Sequence, residues 1–479
     1  MDNIALATIL LPVLGAALTA VSPQRAAKWV ALLFAASAAL SVICLAVDFS
    51  DAGRVATHYT LLSIGTAEII GLTLDSISVL VAIAVVVLGA LMVAYSTDYL
   101  TLGNREHPHE GRPRYYAFLL LFVGAMAGLV FWSTLIGQLV FFEITGACSW
   151  ALIGYYETPK ALGAAAKALI ITHIASVGLY FAAALLFVKT GTFSISALAS
   201  LDDGTKTLIF FGVLFAAWGK SAQLPLHAWL PDAMEAPTPV SAYLHAASMV
   251  KVGAFIFARA IHEAGAVPHV VGWVGAVMAT ITMVYSFLLY LPQKDMKRLL
   301  AYSTISQLSL IFMALSLAIF GSQLAFKGAI AHIFNHAFAK SLFFLVAGAL
   351  SYTCGTRMLP SLRGLLRNAP LLGVSFCVAA LAITGVPPFS GFFSKFPIFA
   401  AGFQLSAEHL LLLPLVVIAL IESVGSFAWF LRWFGDTSPG APSQAVAQAA
   451  KVPPVMETVL VALIVMCVAS SFIAASWLG

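Results

Sequence analysis

Charge is what this sequence has least of. Only 9% of its 479 residues are Asp, Glu, Lys or Arg, against 61% that are hydrophobic, and so little charge excludes a set of soluble globular domains. The net charge of +4 gives no sign of a nucleic-acid partner, and none is expected. Cysteine is also scarce. Cys44, Cys148, Cys354, Cys377 and Cys467 are scattered, with no CxxC or Cys/His spacing that could hold zinc or an iron–sulfur cluster, so they read as packing thiols. No glycine-rich phosphate loop follows a strand, and no Ser/His/Asp order sits on an exposed elbow. No cofactor or metal is expected, and redox or hydrolytic chemistry within the chain is not expected either.

What the sequence has is apolar runs of the length an α-helix needs to cross a bilayer, about 20 residues. The short alternating strands of a membrane barrel are missing. Candidate spans centre on residues 4–22, 27–47, 74–97, 115–132, 135–156, 164–188, 207–226, 239–261, 268–291, 298–320, 325–352, 372–401, 408–433 and 456–477. The fold class is therefore an all-α polytopic membrane protein of about fourteen transmembrane helices, a single membrane domain over 1–479. The first run has no basic flank and no small-residue cleavage site, and reads as a retained helix. Cytoplasmic loops carry the excess of Lys and Arg. Most of these residues, among them Arg25, Lys28, Arg105, Arg112, Arg114, Lys294, Lys297, Arg298, Arg357 and Arg363, follow odd-numbered spans, whereas the other side holds only Arg54, Lys189, Lys206, Arg259 and Lys327. Both termini are then expected to be periplasmic, on a bacterial inner membrane.

The informative residues are ionisable groups inside these runs, where a charge is costly unless it has a partner or a purpose. Glu143 sits mid-way along the fifth span, and Lys220, just before Pro225 in the seventh, is its expected partner. A proline there frees backbone carbonyls and lets water approach. In the eighth span His245 and Lys251 are six residues apart, on different sides of one expected helix. The eleventh span brings His332, His336 and Lys340 onto one stripe at i, i+4 and i+8, as a proton relay needs. A metal site is the rival use of two histidines at that spacing, but no third ligand is spaced to complete it and Lys340 would repel a cation. In the twelfth span Lys395 follows Pro387-Pro388, which predicts a broken helix, and Pro397 is read as a second break. Discontinuous helices at mid-membrane depth are where transporters place their ion sites. Glu422 in the thirteenth span is read as the counter-charge of Lys395 or as a last station, and His173 in the sixth is a further candidate.

The order of these features suggests a duplication. Spans 1 to 3 (1–114) precede a five-span block (115–262), then a second one (268–433), then span 14 (456–477). Each block has a proline-interrupted lysine helix, the seventh or the twelfth span, as its fourth member. That pattern fits two inverted repeats.

The stretches GKSAQLPLHAWLPDAMEAPTPVSAYLHAASMVK, DMKRLLAYSTISQL, HIFNHAFAKSLFFLVAGAL and GVPPFSGFFSKFP resemble the proton-translocating antiporter-like subunits of respiratory complex I and of multi-subunit sodium/proton antiporters. With NREHPH and RYYAFLLLFVGAMAGLV added, the chain looks most similar to the component D subunits of hydrogenase-4 complexes, of the formate hydrogenlyase type. The resemblance implies a fourteen-helix fold with two half-channels joined by a polar axis. In that axis Glu143, Lys220, His245, His332, His336 and Lys395 fall on the family's proton-transfer positions. It also implies partners: further membrane subunits and a peripheral redox arm of nickel hydrogenase, iron–sulfur subunits and formate dehydrogenase. The chain ends after the fourteenth span with no long lateral amphipathic helix, which argues against a distal place in such a complex. The expected function is coupling of redox chemistry in partner subunits to proton movement along Lys220, His245 or Lys251, the His332–His336–Lys340 stripe, Lys395 and Glu422. A component of a cation/proton antiporter and a non-transporting membrane anchor are the alternatives. Sodium wants a cage of oxygens, and Lys and His favour protons.

Overall fold

The structure, a computed structural model, describes residues 1–65 and 67–479. In chain order its helices are α1 (Asp2–Val21), α2 (Gln24–Asp51), α3 (Ser76–Tyr99), α4 (Pro113–Phe131), α5 (Leu135–Ile153), α6 (Pro159–Thr190), α7 (Asp203–Lys220), α8 (Trp229–Asp232), α9 (Thr238–Ala246) and α10 (Met249–Ala264). They continue as α11 (His269–Tyr290), α12 (Met296–Ile319), α13 (Gln323–Cys354), α14 (Leu365–Asn368), α15 (Pro370–Thr384), α16 (Ser390–Leu405), α17 (Leu412–Thr437), α18 (Gln444–Ala447) and α19 (Pro454–Leu478).

By length and composition, 12 of these stretches can cross a membrane, with Thr238–Ala264 taken as one. The expected fourteen are completed by α7 and by the α15–α16 pair, the seventh and twelfth spans. Only the second falls short for the predicted reason: α7 carries Asp203, Lys206 and Lys220 in 18 residues, whereas the twelfth span is cut, as expected, into helices of 15 and 16 residues.

Four local expectations are corrected. The chain is not wholly helical, because Thr57–Ile64 and Ala67–Leu74 pair as an antiparallel hairpin, β1 and β2, ahead of α3. That segment is rich in Thr and Ile, residues that suit a half-buried pleated surface. The seventh span stops at Lys220 instead of running to residue 226, and its path continues through turns to α8. The eighth span is also broken, at Ala247 and Ser248, where Ser248 leaves helical geometry at φ −114°, ψ −116°. His245 and Lys251 therefore lie on separate helices. Finally, Pro397 does not break α16, which runs unbroken through it; a proline is tolerated in a membrane helix where neighbouring structure re-satisfies the freed carbonyl.

Packing follows membrane rules, with small residues at helix contacts. Along α2, Ala27, Ala31, Ala35 and Ala38 are buried while Trp29, Leu33 and Leu40 are exposed. The 32-residue α13 is the central pillar, packed against α9, α12, α15, α16 and α19. At one end Lys327 donates to the Gly479 carbonyl at 3.0 Å and Arg54 donates to that of Ser476, so the end of α19 lies beside two of the few basic groups assigned to that face.

The twelfth-span break depends on two glycines. Gly385 closes α15 at φ 87°, a left-handed conformation that favours glycine. A Cβ at Gly391 would lie 1.9 Å from the Ala382 carbonyl oxygen, and backbone cannot yield as a side chain can. Gly391→Ala is therefore expected to push α16 off α15 at a cost of about 1–3 kcal/mol or more, seen as a lower thermal midpoint of the detergent-solubilised protein; an unchanged midpoint would contradict this packing.

Candidate functional site

Thr134 caps α5, its hydroxyl accepting from the Gly137 N–H at 3.2 Å, and the helix then carries Glu143 to the α6 side. There Glu143 Oε2 lies 3.0 Å from His173 Nδ1, and its other oxygen is buried without a partner. His173 is 63% exposed on the outer surface. Lys220 approaches the neighbouring flank of α5. Its ammonium donates to the Phe142 carbonyl at 2.9 Å and to Thr145 Oγ1 at 3.3 Å, and a Cβ on Gly146 would lie 3.1 Å from it. Among the described residues Glu143 and Lys220 do not form the expected ion pair. The cause is helical rotation: at about 100° per residue, positions 142, 145 and 146 share a face that 143 does not.

Lys220 is the last residue of α7, where a cation complements the carbonyl end of the helix dipole. The carbonyls freed at this break find side-chain donors, as a membrane interior requires. Trp229 Nε1 donates to Gly219 O at 2.9 Å and Gln223 Nε2 to Ser221 O at 2.9 Å. Ser221 Oγ donates to Val250 O at 2.7 Å, so the residue after Lys220 holds the backbone just before Lys251. Gln223 Oε1 accepts from Ser309 on α12 at 2.7 Å.

Beyond the break, Lys251 Nζ lies 3.0 Å from His336 Nδ1. An ammonium has no lone pair, so with Lys251 charged the imidazole is neutral and accepts through Nδ1; moving one proton across this contact reverses the roles. Both residues are buried. The rings of His336 and His332 are 5.6 Å apart on α13. His332 Nε2 meets Gln307 Oε1 at 3.2 Å and its Nδ1 meets Ser394 Oγ at 2.9 Å. An amide oxygen only accepts, which places the His332 proton on Nε2 and leaves Nδ1 to accept from Ser394.

Lys395 follows Ser394 in the chain. Its ammonium donates to Ser423 Oγ at 3.0 Å and to Thr384 O, the last carbonyl of α15, at 3.4 Å. Glu422 does not form an ion pair with Lys395 among the described residues. It accepts instead from Ser306 at 2.5 Å and Ser426 at 2.7 Å, and Ser426 is bonded to Tyr290. Lys340, on the His332–His336 stripe as expected, donates to Leu300 O at 3.0 Å and Ser303 Oγ at 2.9 Å. His245 Nδ1 meets Thr304 Oγ1 at 3.2 Å. The Thr304 proton already goes to Leu300 O, so Nδ1 donates and the buried Nε2 has no partner.

Lys220, His245, Lys251, His332, His336, Lys340, Lys395 and Glu422 are thus all buried, and the run from Lys251 to Glu422 is connected by hydrogen bonds and chain neighbours except between His336 and His332, whose rings are 5.6 Å apart. Glu143, half-buried, flanks the Lys220 end. Sequence reasoning missed the hydroxyls and amides between them: Gln223, Ser303, Thr304, Ser306, Gln307, Ser394 and Ser423. The run YSTISQLS inside an otherwise apolar helix was the available signal. Away from the axis, Asp75, His262 and Glu263 bring ligand atoms within 4.8 Å of one another, but Arg259 occupies both Asp75 oxygens at 2.5 and 2.9 Å, and its guanidinium would repel a metal ion.

Residues 133–421 match the family described as NADH:quinone oxidoreductase/Mrp antiporter, TM. The chain is 36% identical over 389 residues to a Na(+)/H(+) antiporter component of Alkalihalophilus pseudofirmus, covering 76% of this chain and 48% of that one. It is 34% identical over 424 residues to the corresponding Na(+)/H(+) antiporter component of Staphylococcus haemolyticus, covering 82% and 51%. The chain spans about half the length of these curated relatives. Among solved structures, the Mrp complex from Dietzia sp. superposes with TM-score 0.87 at 28% identity, over 99% of this chain and 51% of that one. A chain of the membrane-bound sulfane sulfur reductase, an archaeal respiratory membrane complex, gives TM-score 0.84 at 26% identity over 99% and 95%. The match over residues 133–421, which contain every buried ionisable group of the axis except Glu422, establishes that the chain belongs to the NADH:quinone oxidoreductase/Mrp antiporter transmembrane family.

Proposed function

We propose that this chain is an antiporter-like component of a multi-subunit membrane complex and moves protons along its buried axis. The observation that carries this reading is the 3.0 Å contact between Lys251 and His336, a proton-sharing pair between α10 of the first five-span block and α13 of the second. Its neighbours are groups that accept and release protons, and low dielectric couples the charge of each to the next. Lys220 and Lys395, each beside a broken helix end, are the terminal stations of the two blocks, with His245, His332 and Lys340 between them and Glu143 and Glu422 flanking. Because each block has five spans, the second begins on the opposite face from the first, which supports inverted repeats at 115–262 and 268–433.

For the surrounding complex, the relatives named as sodium/proton antiporter subunits favour a cation/proton antiporter assembly. A second reading has its own support. The NREHPH and RYYAFLLLFVGAMAGLV stretches resemble hydrogenase-4 subunits, and a respiratory complex contains a chain matched over 95% of its length. In that reading the partners are a nickel hydrogenase, iron–sulfur subunits and formate dehydrogenase. The basic bias of the odd-numbered loops supports an inner-membrane protein with both termini periplasmic.

Purifying the complex in mild detergent and reconstituting it in vesicles tests these readings. Proton movement that requires sodium, with antiporter subunits co-purifying, would establish the first. Movement driven by formate or hydrogen turnover, with a hydrogenase co-purifying, would establish the second. A complex that moves no protons under either drive would refute proton translocation itself.

A further inference from the structure

The stretch after α3 forms a chamber that the axis does not explain. Asn104 Oδ1 accepts from the backbone N–H groups of Glu106 at 3.1 Å and His107 at 3.0 Å, which fixes NREHPH as a tight turn. With Tyr156, Glu235 and Arg357, its side chains wall a cavity of about 280 Å³, room for several waters at about 30 Å³ each. Arg357 bonds Glu106 Oε1 at 2.8 Å and Asp295 Oδ2 at 3.0 Å. Glu106 Oε2 and the Tyr156 hydroxyl are buried without hydrogen-bond partners. All these groups, Glu235 in the link after α7 included, belong to links that follow odd-numbered spans. The His107 imidazole is held below its ordinary value by burial, against the pull of Glu106 beside it.

Beneath the chamber is a lysine that the relay does not use. Asp295 caps α12, accepting from the Lys297 backbone N–H at 2.8 Å. The Lys297 side chain is 1% exposed and donates to Met234 O and Ala236 O, both at 2.7 Å. These carbonyls flank Glu235 in the chamber wall. An ammonium has three N–H donors, so one remains to face another group. Further along the same side of α12 come Leu300, whose carbonyl holds Lys340, and Thr304, which holds His245. The rise from Lys297 to Thr304 is about 10 Å.

We propose that this chamber is the mouth through which protons reach the buried axis from the basic face, with Lys297 as the relay between it and His245 and Lys340. The proposal rests on the proton-moving reading above. Without that reading Lys297 would be only a clamp on the link between α8 and α9.

Lys297→Arg separates the two roles. Arginine keeps the charge and can keep the carbonyl bonds, but it does not release its proton. In vesicles carrying the assembled complex, Lys297→Arg is expected to lower proton movement at least about tenfold at normal complex abundance. Movement at the wild-type rate would overturn the proposal. If the larger side chain prevents assembly, the double variant Glu106→Gln with His107→Gln decides: a several-fold fall supports the chamber and an unchanged rate overturns it. Lys395→Arg, run alongside, keeps the two readings apart. If it blocks movement while Lys297→Arg does not, only the chamber fails; if neither blocks it, the axis fails as well.

Discussion

Lys395→Ala is expected to lower proton movement through the assembled complex by about a hundredfold or more, the size of effect typical of removing a proton-transferring side chain. The ammonium of Lys395 lies between Ser423 Oγ and the terminal carbonyl of α15, and among the described residues no other titratable nitrogen bonds either group. To the side of the stripe its chain neighbour Ser394 donates to His332; to the side of α17 Ser423 adjoins Glu422. Alanine therefore removes a station whose loss no nearby group can make good. Assembly should survive, because the variant removes a buried charge that no carboxylate pairs, so no opposite charge is stranded. Lys395→Arg sharpens the test. It keeps the charge and the donors, so a role limited to tying α16 to α17 would be restored, whereas a role that needs deprotonation would not. Wild-type transport by the arginine variant would remove Lys395 from the relay. Lys220→Ala is expected to behave in the same way at the other end of the axis.

The sequence made the broken spans legible where proline and a buried lysine coincide. Pro225 lies just past the end of α7, and Pro387-Pro388 lies in the gap between α15 and α16, because a proline both removes a donor and clashes with the preceding turn. The same rule over-reads Pro397, since a single proline inside α16 costs one bond that the surroundings can replace. The break between α9 and α10 was not legible at all. The residues there are Ala246, Ala247 and Ser248, which fit a helix, and at the break Ser248 turns its hydroxyl back to the Tyr243 carbonyl at 2.9 Å. The i, i+4, i+8 stripe of His332, His336 and Lys340 was legible because it is local to one helix. The partners of Glu143 and Glu422 were not, because a charge's nearest neighbour depends on how whole helices are rotated, and hydroxyls on α5, α12 and α17 reach the buried groups before the expected opposite charges do. The hairpin was missed for a different reason: only about half of its residues are apolar, and its pairing is not helical in period.

The largest stability effect is expected far from the relay, at Arg259. Asp75 and Ser78 form a reciprocal cap on α3, with Ser78 N–H donating to Asp75 Oδ1 at 2.8 Å and Asp75 N–H to Ser78 Oγ at 3.0 Å. The same carboxylate takes both arms of Arg259, which is 2% exposed on α10, and Glu263 Oε1 adds a third contact at 3.3 Å. Burial alone would push the Asp75 carboxyl up, but the guanidinium beside it and the Ser78 N–H outweigh that and hold it well below the usual carboxylate range. A depressed value means that the stabilisation is fully present above the unfolded value of about 4 and fades only as pH falls toward the folded value. Arg259→Leu leaves that carboxylate buried with only the Ser78 N–H and the His262 ring nitrogen, 3.9 Å away, beside it, at a cost of about 3–5 kcal/mol. The expected result is a marked fall in the thermal midpoint of the solubilised protein at pH 7, and a smaller fall near pH 4, where the stranded carboxylate can take up a proton. Adding Asp75→Asn should restore much of the midpoint at pH 7, because it removes the stranded charge and keeps a side-chain oxygen for the cap. If Arg259→Leu melts like the wild type, the pair is not what fastens α3 to α10. If the single and double variants melt alike, the stranded charge is not the cause of the loss. Protein that remains folded should still move protons at the normal rate per complex, since neither Arg259 nor Asp75 touches a group of the axis.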